Sequence, residues 1–187
     1  MFENVDSVAY LFATQAIVFA VLSFVFFMYF RAFAREYVKY WLYSLIALSC
    51  YYASSAMLSN SVTHHYNSYL QLFYGQIQQV GFYLFLAFLL FGLYGAKVKK
   101  LPTKRVFVVT LGMVILIGLC AATFYAFDKN NTFNRFYLKV SLQNFIFACC
   151  FLTASFYLFV DRKPHFSSKI LLAFCLILGA RYLLYSF

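Results

Sequence analysis

The chain has 187 residues, 65% of them hydrophobic, with a mean hydropathy of +0.79, well above the roughly 45–50% apolar content of soluble domains. Fifteen basic residues against five acidic ones give a net charge of +10. This composition excludes an ordinary soluble domain, and with only two prolines to interrupt the apolar runs the chain reads as all-α. The expected architecture is a polytopic integral membrane protein, a six-helix transmembrane bundle forming a single domain over residues 1–187.

At the N-terminus, Met1 is followed by Glu3 and Asp6, the opposite of the basic start of a secretory signal, so the first apolar run is expected to stay as a span. About 20 apolar residues cross a hydrocarbon layer of about 30 Å. Lipid offers the backbone no hydrogen-bond partners, so each crossing must be a helix. A closed barrel would show alternating strands of about ten residues instead of continuous runs. On this ruler six spans follow in order: 7–30, 40–59, 69–94, 106–127, 136–160 and 168–187.

The connections alternate in character. RAFAREYVK, AKVKKLPTKR and DRKPHFSSK hold Arg31, Arg35, Lys39, Lys97, Lys99, Lys100, Lys104, Arg105, Arg162, Lys163 and Lys169, eleven of the fifteen basic residues. Basic connections stay on the cytoplasmic side, which places SNSVTHHYNS, FDKNNTFNR and both termini outside. The positive charge then lies against anionic headgroups and requires no nucleic acid. Pro102 and Pro164 sit in two of these basic connections, where a missing N–H costs nothing. The partners expected are the bilayer itself and other membrane proteins or further copies of the chain.

Ten polar residues stand out because hydrocarbon cannot satisfy them. The third span opens as LQLFYGQIQQVGF, with Gln71, Gln76, Gln78 and Gln79. At 1.5 Å per residue Gln76 and Gln79 lie roughly 10–15 Å below its outer end. Gln15 in the first span, Ser54 and Ser55 in the second, Gln143 and Asn144 in the fifth and Arg181 in the sixth fall at a similar level. Polar groups at membrane depth face the bundle interior or a wet cavity, so Gln15, Gln76, Gln79, Gln143, Asn144 and Arg181 form a candidate ligand pocket opening outward. The competing explanation is interhelical hydrogen bonding without a ligand; for Arg181 it is snorkelling to the outer surface.

Reactive chemistry has little to use. Cys50, Cys120, Cys149, Cys150 and Cys175 all lie in apolar runs without a CxxC spacing and read as packing residues. His64 and His65 are adjacent, hence divergent, and His165 is expected on the other face, so three histidine ligands for a metal are not at hand. No carboxylate lies inside a span, and no GxSxG, HExxH or Gly-rich phosphate loop occurs. Enzymatic activity, metal and cofactor are therefore not expected.

In RAFAREYVKYWLYSLIALSCYYASSAML a basic, aromatic turn leads through Tyr37, Tyr40 and Trp41 into a second span, and the third span runs into LFGLYGAKVKKLP. Over about residues 25–105 this pattern resembles the multi-helix membrane sensor regions that precede diguanylate cyclase or histidine kinase modules in bacteria. The resemblance implies a sensory, receptor-like input module of the bacterial inner membrane that passes a packing change to a cytoplasmic partner or output domain. No GGDEF-like motif and no phosphoacceptor region is present in the sequence. A structural or assembly subunit of a larger membrane complex, and a small transporter or channel, are the alternatives.

Overall fold

The computed structural model describes residues 3–63, 68–98, 101–127, 132–159 and 166–184. Among them there are six α-helices and no strand: α1 (Glu3–Phe33), α2 (Glu36–Thr63), α3 (Ser68–Val98), α4 (Lys104–Phe127), α5 (Thr132–Phe159) and α6 (Phe166–Leu184). Four of them carry segments long and apolar enough to cross a membrane: Ser7–Phe33, Glu36–Ser61, Ser68–Ala96 and Lys104–Thr123. The apolar segments described in α5 and α6, Ser141–Thr153 and Cys175–Leu184, are shorter. The helices extend beyond most of the expected spans, α1 by four residues at its start and three at its end. Hydropathy measures only the hydrocarbon-facing portion, whereas backbone hydrogen bonding continues through the interface.

The chain divides into two compact units, Met1–Phe127 and Asp128–Phe187. In the first, α2 packs on both α1 and α3, and α4 packs on α3. Successive helices run antiparallel, as their paired residues show. Phe19 stacks on Tyr52 and Phe26 meets Trp41 between α1 and α2, while Tyr51 meets Phe82 between α2 and α3.

The turn between α1 and α2 is only Ala34 and Arg35. Ala34 ends α1 with a left-handed φ of 47°, its N–H donating to the Phe30 carbonyl at 2.7 Å. A non-glycine residue there costs about 1–2 kcal/mol, offset by the satisfied carbonyl of the last turn. Beyond it, Lys39 pairs with Glu36 at 2.8 Å and lies 5.1 Å from the centre of the Phe30 ring. Arg35 donates to the Tyr37 hydroxyl at 3.0 Å, and this bond raises its already high pKa. At the start of α4 the Thr103 carbonyl accepts the Phe107 N–H at 3.0 Å.

Small residues bring these helices together. A Cβ on Gly81 would stand 3.1 Å from the Ala47 carbonyl oxygen and 3.2 Å from the Tyr51 nitrogen of α2. On Gly118 of α4 it would meet the Val80 backbone of α3 at 2.9 Å. Gly92 makes room for the Trp41 indole. Without water to drive helices together, such close backbone approach supplies the dispersion energy of association.

The second unit is the pair α5 and α6. Tyr182 stacks between Phe147 and Phe151 at ring-centre distances of 4.9 and 5.9 Å, and Gly179 accepts the Leu152 side chain against its backbone. Ala148, Ser155 and Cys175 are buried.

Candidate functional site

The amides of α3 divide between two faces. Seven residues apart, Gln71 and Gln78 project in nearly the same direction, and both reach α2. The Gln78 Nε2 donates to Ser55 Oγ at 2.8 Å, and Ser55 Oγ in turn donates to the Tyr51 carbonyl at 2.7 Å. Gln71 Nε2 donates to the Ser61 carbonyl at 3.3 Å. Ser54 and Ser61 close their hydroxyls onto their own helix, at the Cys50 and Leu58 carbonyls. Ser49 links α2 the other way, donating to the Ala16 carbonyl of α1 at 2.9 Å. A polar seam thus runs through the first unit, in which hydroxyls and amides act between helices.

Of the six candidate pocket residues, Gln15, Gln76 and Gln79 belong to the first unit, and Gln143, Asn144 and Arg181 to the second. Gln79 is 1% exposed and belongs to the packed interior. Gln15 is half-buried, and its Oε1 is enclosed without a hydrogen-bond donor among the described residues. Gln143 and Asn144 are half-buried on α5 and Arg181 is exposed on α6; none of these three side chains is free of interactions.

Gln76 has a different setting. It lies on a groove of about 650 Å³ between α2, α3 and α4, whose walls include Tyr43, Cys50, Val80, Phe88, Phe107 and Ile115. Gln76 is the amide among the lining side chains, which are otherwise almost wholly apolar. Beside the groove α4 makes two close approaches to its neighbours α2 and α3. One is Gly118 on Val80. The other is an aromatic cluster in which Phe107 meets Tyr40, Phe88 and Phe91 at ring-centre distances of 5.9, 6.3 and 5.8 Å. Phe107, Ile115 and Leu119 of α4 form one wall of the groove.

Sequence reasoning singled out Gln76 but missed the groove. Its walls are Leu, Ile, Val and Phe positions indistinguishable in composition from lipid-facing ones. The available signal was Gly81 and Gly118, which mark close helix approach and hence where the neighbouring gap must lie.

Of the basic surface residues, Arg31, Arg35, Lys104 and Arg105 are exposed at helix ends or in the first turn. Lys97 lies in the last turn of α3, with its side chain outside the described residues. Lys99, Lys100, Arg162 and Lys163, like His64, His65 and His165, lie outside the described residues. Among the described residues no three His, Cys, Asp or Glu side chains converge as metal ligands.

No protein-family description matches the chain, and no curated protein or solved structure shows significant similarity to it.

Proposed function

We propose that this integral membrane protein is a sensory, receptor-like module whose input is a membrane-dissolved, largely apolar molecule. In this reading all six helices cross the bacterial inner membrane, both termini face outward, and a cytoplasmic partner or output domain responds. The groove carries the proposal, because it offers an apolar ligand a concave wall with one amide to orient it. Its volume falls within the ordinary range of roughly 300–1,000 Å³ for small-molecule pockets. A ligand filling it would favour one position of α4 over another by the difference in its affinity for the two.

Photolabelling with a diazirine-bearing fatty acid in proteoliposomes tests this reading. Label is expected to concentrate on the groove walls and to fall there in Cys50→Trp, which fills the groove from an exposed position. Labelling of α1, apolar and largely exposed, as heavy as that of the groove would overturn the proposal. The orientation is tested separately by single-cysteine labelling at positions 99 and 130, which are expected to react from opposite sides.

The polar seam favours a second reading, a structural subunit of a larger membrane complex. Gln71 and Gln78 already have partners on α2, so their amides call for no ligand. Recovery of the protein only within a stable hetero-assembly would favour that role; a folded, lipid-embedded monomer or homodimer would favour the receptor.

A further inference from the structure

We infer that the groove between α2, α3 and α4 is built for one acyl chain of an anionic glycerophospholipid, with the lipid phosphate held at Lys104. The inference rests on the receptor-like reading of the groove and names the class of molecule that enters it.

Helix geometry places a cation in line with the groove. On α4 the lining residues Phe107, Ile115 and Leu119 form a single stripe. At 100° per residue, Lys104 lies about 20° from the direction of Ile115, so it heads the same stripe one turn beyond Phe107. Arg105 is rotated about a quarter-turn from the centre of that stripe. Among the described residues Lys104 is therefore the α4 cation in line with the groove, and it is exposed.

The length of the groove matches one acyl chain. From Phe107 to Leu119 the groove follows α4 for roughly 18 Å, close to the roughly 15 Å that one leaflet of a 30 Å hydrocarbon layer occupies. A chain anchored at the level of Lys104 would run its length in the groove and end near the bilayer midplane.

Charge decides the headgroup. The protein has fifteen basic residues and five acidic ones, so most of its cations must find anions outside the chain. The ion pair among the described residues is Lys39 with Glu36, which leaves Lys104 without a carboxylate. A neutral phospholipid would fill the apolar walls equally well but would offer this ammonium a phosphate already compensated by its own choline. An anionic headgroup supplies the net charge that is missing.

The test uses the full chain in a neutral detergent, with retained lipid counted by native mass spectrometry after incubation with phosphatidylglycerol or phosphatidylcholine. One phosphatidylglycerol per chain is expected to be retained about five-fold better than phosphatidylcholine, the factor that one lysine contributes at an anionic surface. Lys104→Gln is expected to remove that preference, whereas Arg105→Gln leaves it intact. Cys50→Trp and Ile115→Trp, both at exposed groove positions, should release both lipids. Equal retention of the two lipids, or equal losses in Lys104→Gln and Arg105→Gln, would overturn the headgroup assignment while leaving the groove as an apolar site. Undiminished retention in both tryptophan variants would overturn the groove itself as the binding place, and the receptor-like reading with it.

Discussion

The two seams that α3 makes in the first unit are built differently. Toward α2, α3 presents Gly81, Gln71 and Gln78, and finds backbone, a carbonyl and a hydroxyl at bonding distance. Toward α4 it presents a close contact at Val80, ring contacts of Phe88 and Phe91 with Phe107, and one wall of the groove. In water both would be driven together by apolar burial. In lipid, apolar side chains gain little by exchanging lipid for protein, and helix association depends on close packing and hydrogen bonds. The difference makes the α2 and α3 pair the more tightly held frame and α4 the more loosely held helix, the element that the proposed ligand would shift.

The largest effect should come from closing the tighter seam. Gly81→Leu places a branched side chain against the α2 backbone, and α2 cannot retreat because α1 holds its other side. A loss of about 2–3 kcal/mol, near the top of the usual overpacking range, is expected in the unfolding midpoint measured by helical circular dichroism in detergent. Gly118→Leu creates a still shorter contact, 2.9 Å from the Val80 backbone, but among the described residues of this unit α4 packs chiefly on α3 and can move aside. Its cost should be about 1 kcal/mol. Equal losses at the two glycines would break the distinction between a fixed and a movable seam.

How much of this was legible beforehand varies with the physics behind each feature. The helices were, because a long apolar run in lipid leaves the backbone no alternative to self-satisfaction, and the described residues of all six expected runs lie on helices. Their ends were read short, since Glu36 and Lys39 wind on into α2 although neither belongs in hydrocarbon. Ser55 and Gln78 were readable as lying at one depth, because rise per residue fixes depth. Their pairing was not, because depth says nothing of which helix stands opposite. The groove was illegible for a related reason: Phe107 and Ile115 have the same hydropathy whether they face a neighbour, a gap or a lipid tail.

A smaller effect tests the hydrogen bonds of the fixed seam. Gln78→Leu removes the donor to Ser55 Oγ but leaves Ser55 donating to the Tyr51 carbonyl, so no hydroxyl hydrogen is stranded. The coupling energy from a double-mutant cycle with Ser55→Ala should be about 0.6 kcal/mol, the average for such bonds between membrane helices. A coupling indistinguishable from zero would mean that close packing at Gly81, and not the amide, holds the seam.

The smallest effect is expected two residues away, on the other face of α3. Gln76 lines the groove, and its amide makes no hydrogen bond among the described residues. Leu has nearly the same reach, fits the apolar walls, and leaves no partner unsatisfied when the amide is removed. Gln76→Leu should therefore change stability by less than about 0.5 kcal/mol, the range of substitutions that break no specific interaction, in the same unfolding assay that resolves Gln78→Leu. The contrast is informative because the two side chains are chemically identical and lie at nearly the same depth, so only their neighbours differ. A loss at Gln76 above about 1 kcal/mol, the scale of a broken hydrogen bond, would show that the groove amide is engaged by something that copurifies with the protein. In that event delipidation before the measurement should abolish the loss, whereas the effect at Gln78, internal to the protein, should survive it.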